Sequence, residues 1–436
     1  MKQSLKKVLI VTYYWPPAGG SGVQRWLMFA KYLRDFGWEP VIYTAENPEV
    51  PHFDHSLLAE VPSGLEVIRG PIWEPFDVYR SLTGRKKDEP VSMVVDLKKK
   101  KSVAQRLSLW VRSNLFIPDA KKFWIRPSVK LLQQRISQGD IAVLVTTGPP
   151  HSCHRIGFYL KKKFPKLPWL ADFRDPWTQI DFFKELDLTN RALAKHRLKE
   201  KEVLSGADKV VVIGPHMARS FESIVNRDYQ VIFNGYDGSS QSEEQALDQE
   251  FSLVHIGIYS KSRNHPSLLR AIQVLGESND VFKDKFKLIF VGQVDESVKR
   301  QVTAFGLQKM VEYRDFVPHG QVSKIQQSAR MLYLSINNVE GCQGVLTGKL
   351  FEYIQTDRPI LLIGPRDGDA AQLAGDLQGV DVVEFEAQAQ IQEVLLAQFE
   401  LYLSGKDSRF SRDTSAYTRA ALTKKLATAL DQLALN

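Results

Sequence analysis

The sequence predicts an α/β protein composed of two doubly wound domains. Apolar runs of strand length alternate with stretches of helical period along most of the 436 residues, which is the pattern of parallel sheets covered by helices. The chain is also too long for one hydrophobic core, because single cores stop growing at roughly 250 to 300 residues. A small, polar and acidic stretch at 234–250 interrupts the alternation and is the best candidate for a linker.

The N-terminal half opens with a strand, a glycine-rich loop, a helix and a second strand. The run at 7–14 is continuously apolar and rich in β-branched and aromatic residues, as in a buried parallel strand. After the loop, Trp26, Phe29 and Leu33 lie at helical spacing, and Gly37 suits the end of that helix. The further predicted elements of this half are strands at 40–44, 65–69, 141–146, 169–173 and 209–213, and helices at 129–137, 152–163 and 190–206.

The C-terminal half repeats the alternation after the linker. Its predicted strands lie at 253–258, 286–292, 311–316, 331–336 and 359–363, and its predicted helices at 266–276, 298–305, 322–328, 349–355 and 417–435. Two such domains usually bind a ligand in the cleft between them, where strand ends and helix N-termini favour an anion such as a nucleotide.

Charge and cysteine content narrow the class of protein. Basic residues exceed acidic residues by eight in the whole chain. Residues 98–126 carry nine basic residues and one acidic residue, so the rest of the chain has no net charge. Aromatic and leucine residues are interleaved in this basic segment, which suits an anionic membrane surface, a single-stranded nucleic acid or a solvated face over a core helix. Two cysteines and no apolar run long enough to span a membrane favour a cytoplasmic protein.

Three motifs in the N-terminal half could carry chemistry. Gly20 and Gly22 follow the first strand and suit a phosphate or sugar loop; the third glycine of a dinucleotide fingerprint is missing, and a flexible turn is the alternative. His151 is expected at the carboxyl edge of the sheet, either facing the cleft or in a structural role. Asp172 lies at the end of another predicted strand, close to Arg174, and could form an internal ion pair or contact acceptor hydroxyls.

Two motifs in the C-terminal half suggest a nucleotide site. Lys261 and Arg263 follow a predicted strand and precede a helix, which suits a diphosphate, with a solvated surface pair as the alternative. Lys349 and Glu352 lie in a short predicted helix, Glu352 in its first turn, where it could cap the helix or accept hydrogen bonds from a ribose. No set of residues predicts a metal site.

Together these segments resemble glycosyltransferase family 4, a set of retaining enzymes with the GT-B fold of two Rossmann-like domains facing across a cleft. The similarity extends over nearly the whole chain. It is carried by the order and spacing of PPAGGSGVQR, GPPHS, DFRDPW, NGYD, IGIYSKSRN, FVGQ and KLFEYIQTDRPIL.

The resemblance implies a role for each matching residue. Gly20 and Gly22 would lie near the donor diphosphate or the acceptor, and His151 would face the transferred sugar. Lys261 and Arg263 would hold the diphosphate. The ribose would be bound by Glu352, in the helix that also carries Lys349, while Asp172 would be part of the catalytic group.

One position departs from the family pattern. The family often carries two glutamates eight positions apart, but Gly344 stands eight positions before Glu352. Glu340 lies twelve positions before it, in surroundings that resemble those of the first glutamate. Either an insertion shifts that residue to Glu340, which is then a candidate catalytic residue, or the role has moved or been lost.

The resemblance also implies the organisation and activity of the whole chain. Its domains would be an acceptor-side domain at 1–238 with a basic insertion at about 75–126, a nucleotide-sugar domain at 250–415, and a helix at 416–436 crossing back to the first. We expect sugar transfer, with retention and without a metal or other cofactor, from a nucleotide-sugar to a glycan or lipid-linked acceptor in surface polysaccharide or glycolipid synthesis. The protein would be cytoplasmic, with a peripheral membrane contact through 98–126 and no nucleic-acid partner. The alternatives are a nucleotide-sugar epimerase of the same fold and a non-catalytic binding protein.

Overall fold

The chain folds into two compact units. In the computed structural model the described residues are 5–50, 52–74, 103–180, 183, 186–237, 245–317, 319–406 and 408–435. Unit 1 comprises Met1–Asn234 with Arg419–Asn436, and unit 2 comprises Gly235–Thr418. Residues 75–102 of the predicted insertion and 238–244 of the predicted linker lie outside the described residues.

Unit 1 is built on a parallel sheet of seven described strands in the order β3-β2-β1-β4-β5-β6-β7. Chain order reverses where β1 pairs with β2 on one side and with β4 on the other, and ligands bind at such switch points, outside the carboxyl ends of the strands. The strands are β1 Lys6–Val11, β2 Trp38–Ala45, β3 Glu66–Gly70, β4 Ile141–Gly148, β5 Trp169–Phe173, β6 Lys209–Val212 and β7 Gln230–Val231.

Helices cover both faces of this sheet. Trp124 and Trp169 are buried in one core, and Trp26 is buried in another. The C-terminal helix, Arg419–Leu435, joins the second core through Leu422, Leu426 and Leu430, whose i, i+4, i+8 spacing presents one apolar stripe. The other helices are α1 Ser21–Leu33, α2 Val103–Leu115, α3 Ile125–Ile136, α4 Ser152–Lys163, α5 Asn190–Gly206 and α6 Pro215–Glu222.

Unit 2 repeats the architecture with six described strands in the order β10-β9-β8-β11-β12-β13. The strands are β8 Phe251–Ile256, β9 Phe286–Val291, β10 Val311–Arg314, β11 Met331–Ser335, β12 Ile360–Ile363 and β13 Val380–Val383. The helices are α7 Pro266–Ser278, α8 Asp280–Lys285, α9 Glu296–Ala304, α10 His319–Ser328, α11 Gly348–Ile354, α12 Asp369–Ala374 and α13 Gln388–Leu403.

The structure confirms the predicted α/β class with two parallel sheets. Helices Ser152–Lys163 and Asn190–Gly206 have the predicted bounds, whereas helix Gln388–Leu403 was not predicted. Its buried residues, Ile391, Leu395 and Phe399, have the helical i, i+4, i+8 spacing that could have revealed it. No helix in the described part of the chain is long and apolar enough to span a membrane.

Candidate functional site

The predicted site residues fall into two groups, one in each unit. In unit 2 the group lies at the carboxyl ends of β8 and β9, each of which is followed by a glycine with positive φ, Gly257 at 106° and Gly292 at 117°. A Cβ at Gly292 would lie 3.0 Å from the carbonyl oxygen of Gly257. The two turns therefore pack backbone to backbone, which the lack of side chains at both glycines allows.

Lys349 projects from α11 onto the first of these turns. A Cβ at Gly257 would lie 2.7 Å from both Cε and Nζ of Lys349, so the absence of a side chain at Gly257 makes room for the amino group. Burial, and then the positive charge of Arg263, lower the pKa of Lys349 to about 8. Lys349 is therefore mostly protonated at neutral pH, and the nearby negative charge compensates its positive charge only in part.

Arg263 is held rigidly beside this lysine. Its Nε donates to Oδ1 of Asn337 at 2.7 Å and its Nη1 donates to the carbonyl oxygen of Ile258 at 3.0 Å. The hydroxyl of Ser335 donates to the carbonyl oxygen of Arg263 at 2.6 Å. Because these contacts fix both ends of the residue, the guanidinium is preorganised next to Lys349.

Glu352 completes the unit 2 group, but its position in the helix differs from the prediction. Helix α11 begins at Gly348, so Glu352 is its fifth residue and lies beyond the first turn, where it cannot cap the helix. The negative charge of Glu352 offsets part of the lowering of the Lys349 pKa. Oε2 of Glu352 accepts a hydrogen bond from Nε2 of Gln326 at 3.1 Å. Gln326 is a partner that the sequence did not predict.

The structure does not bring Lys261 and Glu340 into this group. Lys261 opens a three-residue 3₁₀ turn rather than the following helix, which begins at Pro266. Its side chain is exposed. Hydrogen bonds from Ser297 are the main cause of the lowered pKa of Asp295, and the charge of Lys261 makes only a small contribution to it. Glu340 lies in an exposed turn after β11.

In unit 1, Arg174 connects the two predicted loops. Its Nη1 donates to the carbonyl oxygen of Gly22 at 2.6 Å, and its Nη2 donates to the carbonyl oxygen of Pro149. Gly20 is the N-cap of α1 with φ 96°, a conformation that favours glycine. A Cβ at Gly22 would lie 2.7 Å from Nη1 of Arg174. The glycine loop and the loop before α4 therefore meet at the switch point of the sheet.

Asp172 forms an internal ion pair, which is one of the two predictions made for it, but its partner is Arg25 and not the nearby Arg174. Its carboxylate is buried and accepts hydrogen bonds from Arg25, from Nε1 of Trp26 at 2.7 Å and from the hydroxyl of Thr147 at 2.8 Å. The sequence signal for this partner was Arg25 itself, which stands where the third glycine of a dinucleotide loop would be.

His151 is the N-cap residue of α4, directly after the carboxyl end of β4. Its imidazole stacks on Trp177 with 4.6 Å between ring centroids and 1° between the planes. Burial, and then the charge of the neighbouring His154, hold the pKa of His151 well below 6.5. The ring is therefore neutral at neutral pH, and its buried Nδ1 has no hydrogen-bond partner among the described residues.

Gly148 provides the space into which His151 and His154 point. A Cβ there would lie 2.6 Å from Nε2 of His154 and 3.3 Å from Nδ1 of His151. Nε2 of His154 likewise has no hydrogen-bond partner within the described part of the chain, while its Nδ1 lies 2.9 Å from the hydroxyl of Thr146. Two neutral imidazoles thus direct acceptor or donor atoms to one strand end. In the described ranges, no group of three or more His, Cys, Asp or Glu residues could hold a metal ion.

Comparison with known proteins identifies the fold. No protein-family model matches the chain, and no curated protein is similar to it in sequence. Among solved structures, the sucrose-phosphate synthase of Thermosynechococcus elongatus matches with a TM-score of 0.54 at 12% identity, covering 99% of this chain and 96% of that one.

Two further structures match over nearly their whole lengths. The lipopolysaccharide outer core galactosyltransferase WaaB matches with a TM-score of 0.56 at 11% identity, covering 98% of this chain and 99% of that one. Anabaena HepE, solved in complex with UDP-glucose, matches with a TM-score of 0.52 at 12% identity, covering 98% and 97%. The chain has the GT-B fold. At these identities the likeness extends to the fold alone.

Proposed function

We propose that the protein is a nucleotide-sugar-dependent glycosyltransferase whose unit 2 binds the donor. The observation that carries this proposal is the pair of cations at the carboxyl edge of the unit 2 sheet, the Lys349 amine over Gly257 and the fixed guanidinium of Arg263. Sugar transfer releases a nucleoside diphosphate, and preorganised cations stabilise the charge that develops on this leaving group. The solved WaaB is a galactosyltransferase and HepE was solved with UDP-glucose, which supports the same class of donor here.

The remaining residues take roles on either side of this chemistry. Glu352, on the same helix as Lys349, accepts hydrogen bonds from the donor ribose, and Glu340 stays the candidate for the family's first glutamate. Gly20, Gly22 and the neutral His151 form the acceptor side, with the imidazole of His151 facing the transferred sugar. We assign Asp172 a positioning role, because its carboxylate is already bonded to Arg25, Trp26 and Thr147. Transfer proceeds with retention by front-side attack, and these cations replace a metal.

A cationic groove on unit 1 supports a lipid-linked acceptor at an anionic membrane. The groove has a volume of about 820 Å³, and no acidic residue is among the described residues that line it. Burial is the main cause of the lowered pKa of Lys122 in this groove, and the charge of Lys195 outside the groove adds to it. The basic lining residues are Lys122, Arg126, Lys130, Lys163 and Lys199, and the apolar ones are Ile117, Phe123, Ile125, Val129 and Tyr159.

A donor screen tests the proposal. Thermal unfolding of the full chain is measured with UDP-, GDP- and ADP-linked sugars, because a ligand that binds the folded state raises the unfolding temperature. One donor should raise it in the wild type and not in Lys349→Met, whereas Lys309→Met, which changes an exposed lysine of the same unit, should keep the shift. Transfer of the sugar to a glycan or lipid acceptor should follow with that donor. No shift with any donor would contradict the proposal, and epimer formation without an acceptor would indicate an isomerase instead.

A further inference from the structure

A polar cavity lies in unit 2, at the amino ends of the strands, whereas Gly257 lies at their carboxyl ends. It has a volume of about 630 Å³ and contains residues 355–358, which precede β12, whereas Gly257 follows the carboxyl end of β8. Its lining is almost entirely polar or charged: Tyr236, Gln245, Ser323, Gln327, Gln355, Thr356, Asp357, Arg358, Arg409, Arg412, Asp413, Thr414, Ser415 and Thr418.

Arg358 is the buried cation of this cavity. The residue is 1% exposed, and its Nε donates to Oδ1 of Asp357 at 2.7 Å. This is the one side-chain hydrogen bond that its guanidinium makes among the described residues, so Nη1 and Nη2 have no acceptor there. A guanidinium that is largely removed from bulk water favours an acceptor for its unused donors. The cavity next to them is where an acceptor would fit.

Two further arginines add positive charge to the same wall. Arg412 donates only to backbone carbonyl oxygens, those of Thr356 at 2.7 Å, Arg358 at 2.8 Å, Gln378 at 2.6 Å and Gly379 at 3.2 Å. Among the described residues no carboxylate accepts a hydrogen bond from Arg412, and the charge of Asp357, which already pairs with Arg358, is the one that acts on it. Nη1 of Arg409 lies 3.2 Å from Oδ2 of Asp357, the same carboxylate that pairs with Arg358.

The two acids of the cavity do not balance these three arginines. Asp357 is shared between Arg358 and Arg409. Asp413 directs Oδ1 towards its own turn, where it accepts from the backbone N–H of Ser415 at 3.1 Å and from the Ser415 hydroxyl at 2.6 Å. The cavity therefore keeps a net positive charge beside several hydroxyl groups.

We propose that this cavity binds the phosphate group of a small phosphorylated compound, at a second anion site separate from the donor site. The free Nη1 and Nη2 of Arg358 match the bidentate geometry of phosphate oxygens. Arg409 supplies a further charge at the mouth of the cavity, and the hydroxyls of Ser323 and Thr414 supply neutral donors.

A ligand here would touch both ends of unit 2. Tyr236 lies just after the first residue of the unit, and Thr418 is the last. These two residues form a β-bridge, and the hydroxyl of Tyr236 lies 2.7 Å from Oγ1 of Thr414. Because Tyr236, Thr414 and Thr418 all line the cavity, a bound phosphate would hold together the segments through which the chain enters and leaves the unit.

Titration with inorganic phosphate tests the site without any sugar donor. Thermal unfolding of the full chain is followed at constant ionic strength, with chloride replacing phosphate in the reference. Because the donor site also carries cations, the wild type is compared with Lys349→Met and Arg358→Met, and with Arg366→Met as the control for loss of an arginine outside the cavity. The phosphate-dependent shift should persist in Lys349→Met and Arg366→Met and disappear in Arg358→Met.

The opposite patterns would overturn the proposal. A shift that is lost in Lys349→Met and kept in Arg358→Met would place the phosphate at the donor site, and no shift in the wild type would leave the cavity without this ligand. If Arg358→Met does not fold, Arg409→Gln is the test of the site, because the Arg409 side chain is about half exposed and its replacement should leave the fold intact. It should weaken phosphate binding at least about tenfold, the effect of losing one charge-assisted contact, and an unchanged affinity would refute the site.

Discussion

The guanidinium of Arg25 lies against the carboxylate of Asp172, with 2.7 Å between Nη2 and Oδ1 and both side chains at most 2% exposed. Burial alone would raise the pKa of Asp172, but Arg25, Trp26 and Thr147 outweigh it and hold the pKa below its ordinary value. Nη1 of Arg25 also donates to the carbonyl oxygen of Phe233 at 2.8 Å. This pair therefore fixes helix α1 to the carboxyl end of β5 and to the last residues of the first segment of unit 1.

We predict that Asp172→Asn destabilises the protein strongly. Removing one partner leaves the Arg25 charge buried and uncompensated, which costs about 3 to 5 kcal/mol in comparable buried pairs. Urea unfolding followed by circular dichroism measures the loss. The control is Asp431→Asn, which breaks the exposed pair with Lys6 and should cost less than about 1 kcal/mol. Equal losses of unfolding free energy in the two variants would show that the buried Asp172 pair stabilises the protein no more than the exposed Asp431 pair.

The fold could be predicted from the sequence because its signals are local. Continuous apolar runs become buried parallel strands, and the spacing of apolar residues sets the helices, so that Ser152–Lys163 has the predicted bounds. The Arg25–Asp172 pair could not be predicted in the same way. Its members are 147 positions apart. The local sequence pattern around Asp172 points to Arg174, two residues away, and contains no information on the distant Arg25.

The candidate site was predictable in part, for the same reason. Arg263 could be predicted because it follows a strand that ends in a glycine, and Lys349 because it lies in a short predicted helix; both are local features. Lys261 has the same sequence context, but the turn that contains it directs Arg263 inwards to Asn337 and leaves Lys261 exposed. Gln326 comes from another helix, α10, and its contact with Glu352 depends on how α10 and α11 pack.

We predict that donor binding weakens as the pH rises above about 8. The pKa of Lys349 is lowered to about 8, so the amine is charged below this pH and loses its charge above it. Once it is neutral, each further pH unit should raise the dissociation constant of UDP or another matching nucleotide up to about tenfold. Calorimetric titration between pH 7 and 9.5 measures this. Lys349→Arg, which stays charged, should flatten the profile, and an identical profile in that variant would exclude Lys349 as the titrating group.

We predict that donor binding requires the carboxylate of Glu352. Glu352→Ala should abolish the thermal shift given by the donor, because Glu352 lies one helical turn from Lys349 and is proposed to bind the ribose. A nucleotide that lacks the ribose hydroxyls should give similar thermal shifts with the wild type and with Glu352→Ala. Glu277→Ala serves as the comparison and should leave the donor shift in place, since Glu277 is exposed near the end of helix α7 and has no proposed role in the site. An unchanged shift in Glu352→Ala would refute the ribose role.

We predict that the cationic groove of unit 1 binds anionic vesicles. Each lysine near such a surface contributes about 1 kcal/mol, so the double variant Lys130→Gln, Lys163→Gln should lose about 2 kcal/mol of binding. Co-sedimentation with phosphatidylcholine vesicles containing phosphatidylglycerol measures the effect. The double variant Lys309→Gln, Lys424→Gln removes the same charge from exposed sites outside the groove and should bind like the wild type. Equal losses in both variants would point to net charge rather than the groove.

We predict that mild acid destabilises the protein through its buried histidines. Burial lowers the pKa of His154 and His255 to about 3, and of His196 and His265 to about 4. Between these values and about 6.5 the unfolded chain binds more protons than the folded one, so the free energy of unfolding falls as the pH falls. Each histidine contributes up to about 1.4 kcal/mol per pH unit. Urea unfolding between pH 7 and 5, above the range of most carboxylates, measures the slope. His255→Gln should reduce this slope by one histidine, and an unchanged slope would show that His255 does not contribute.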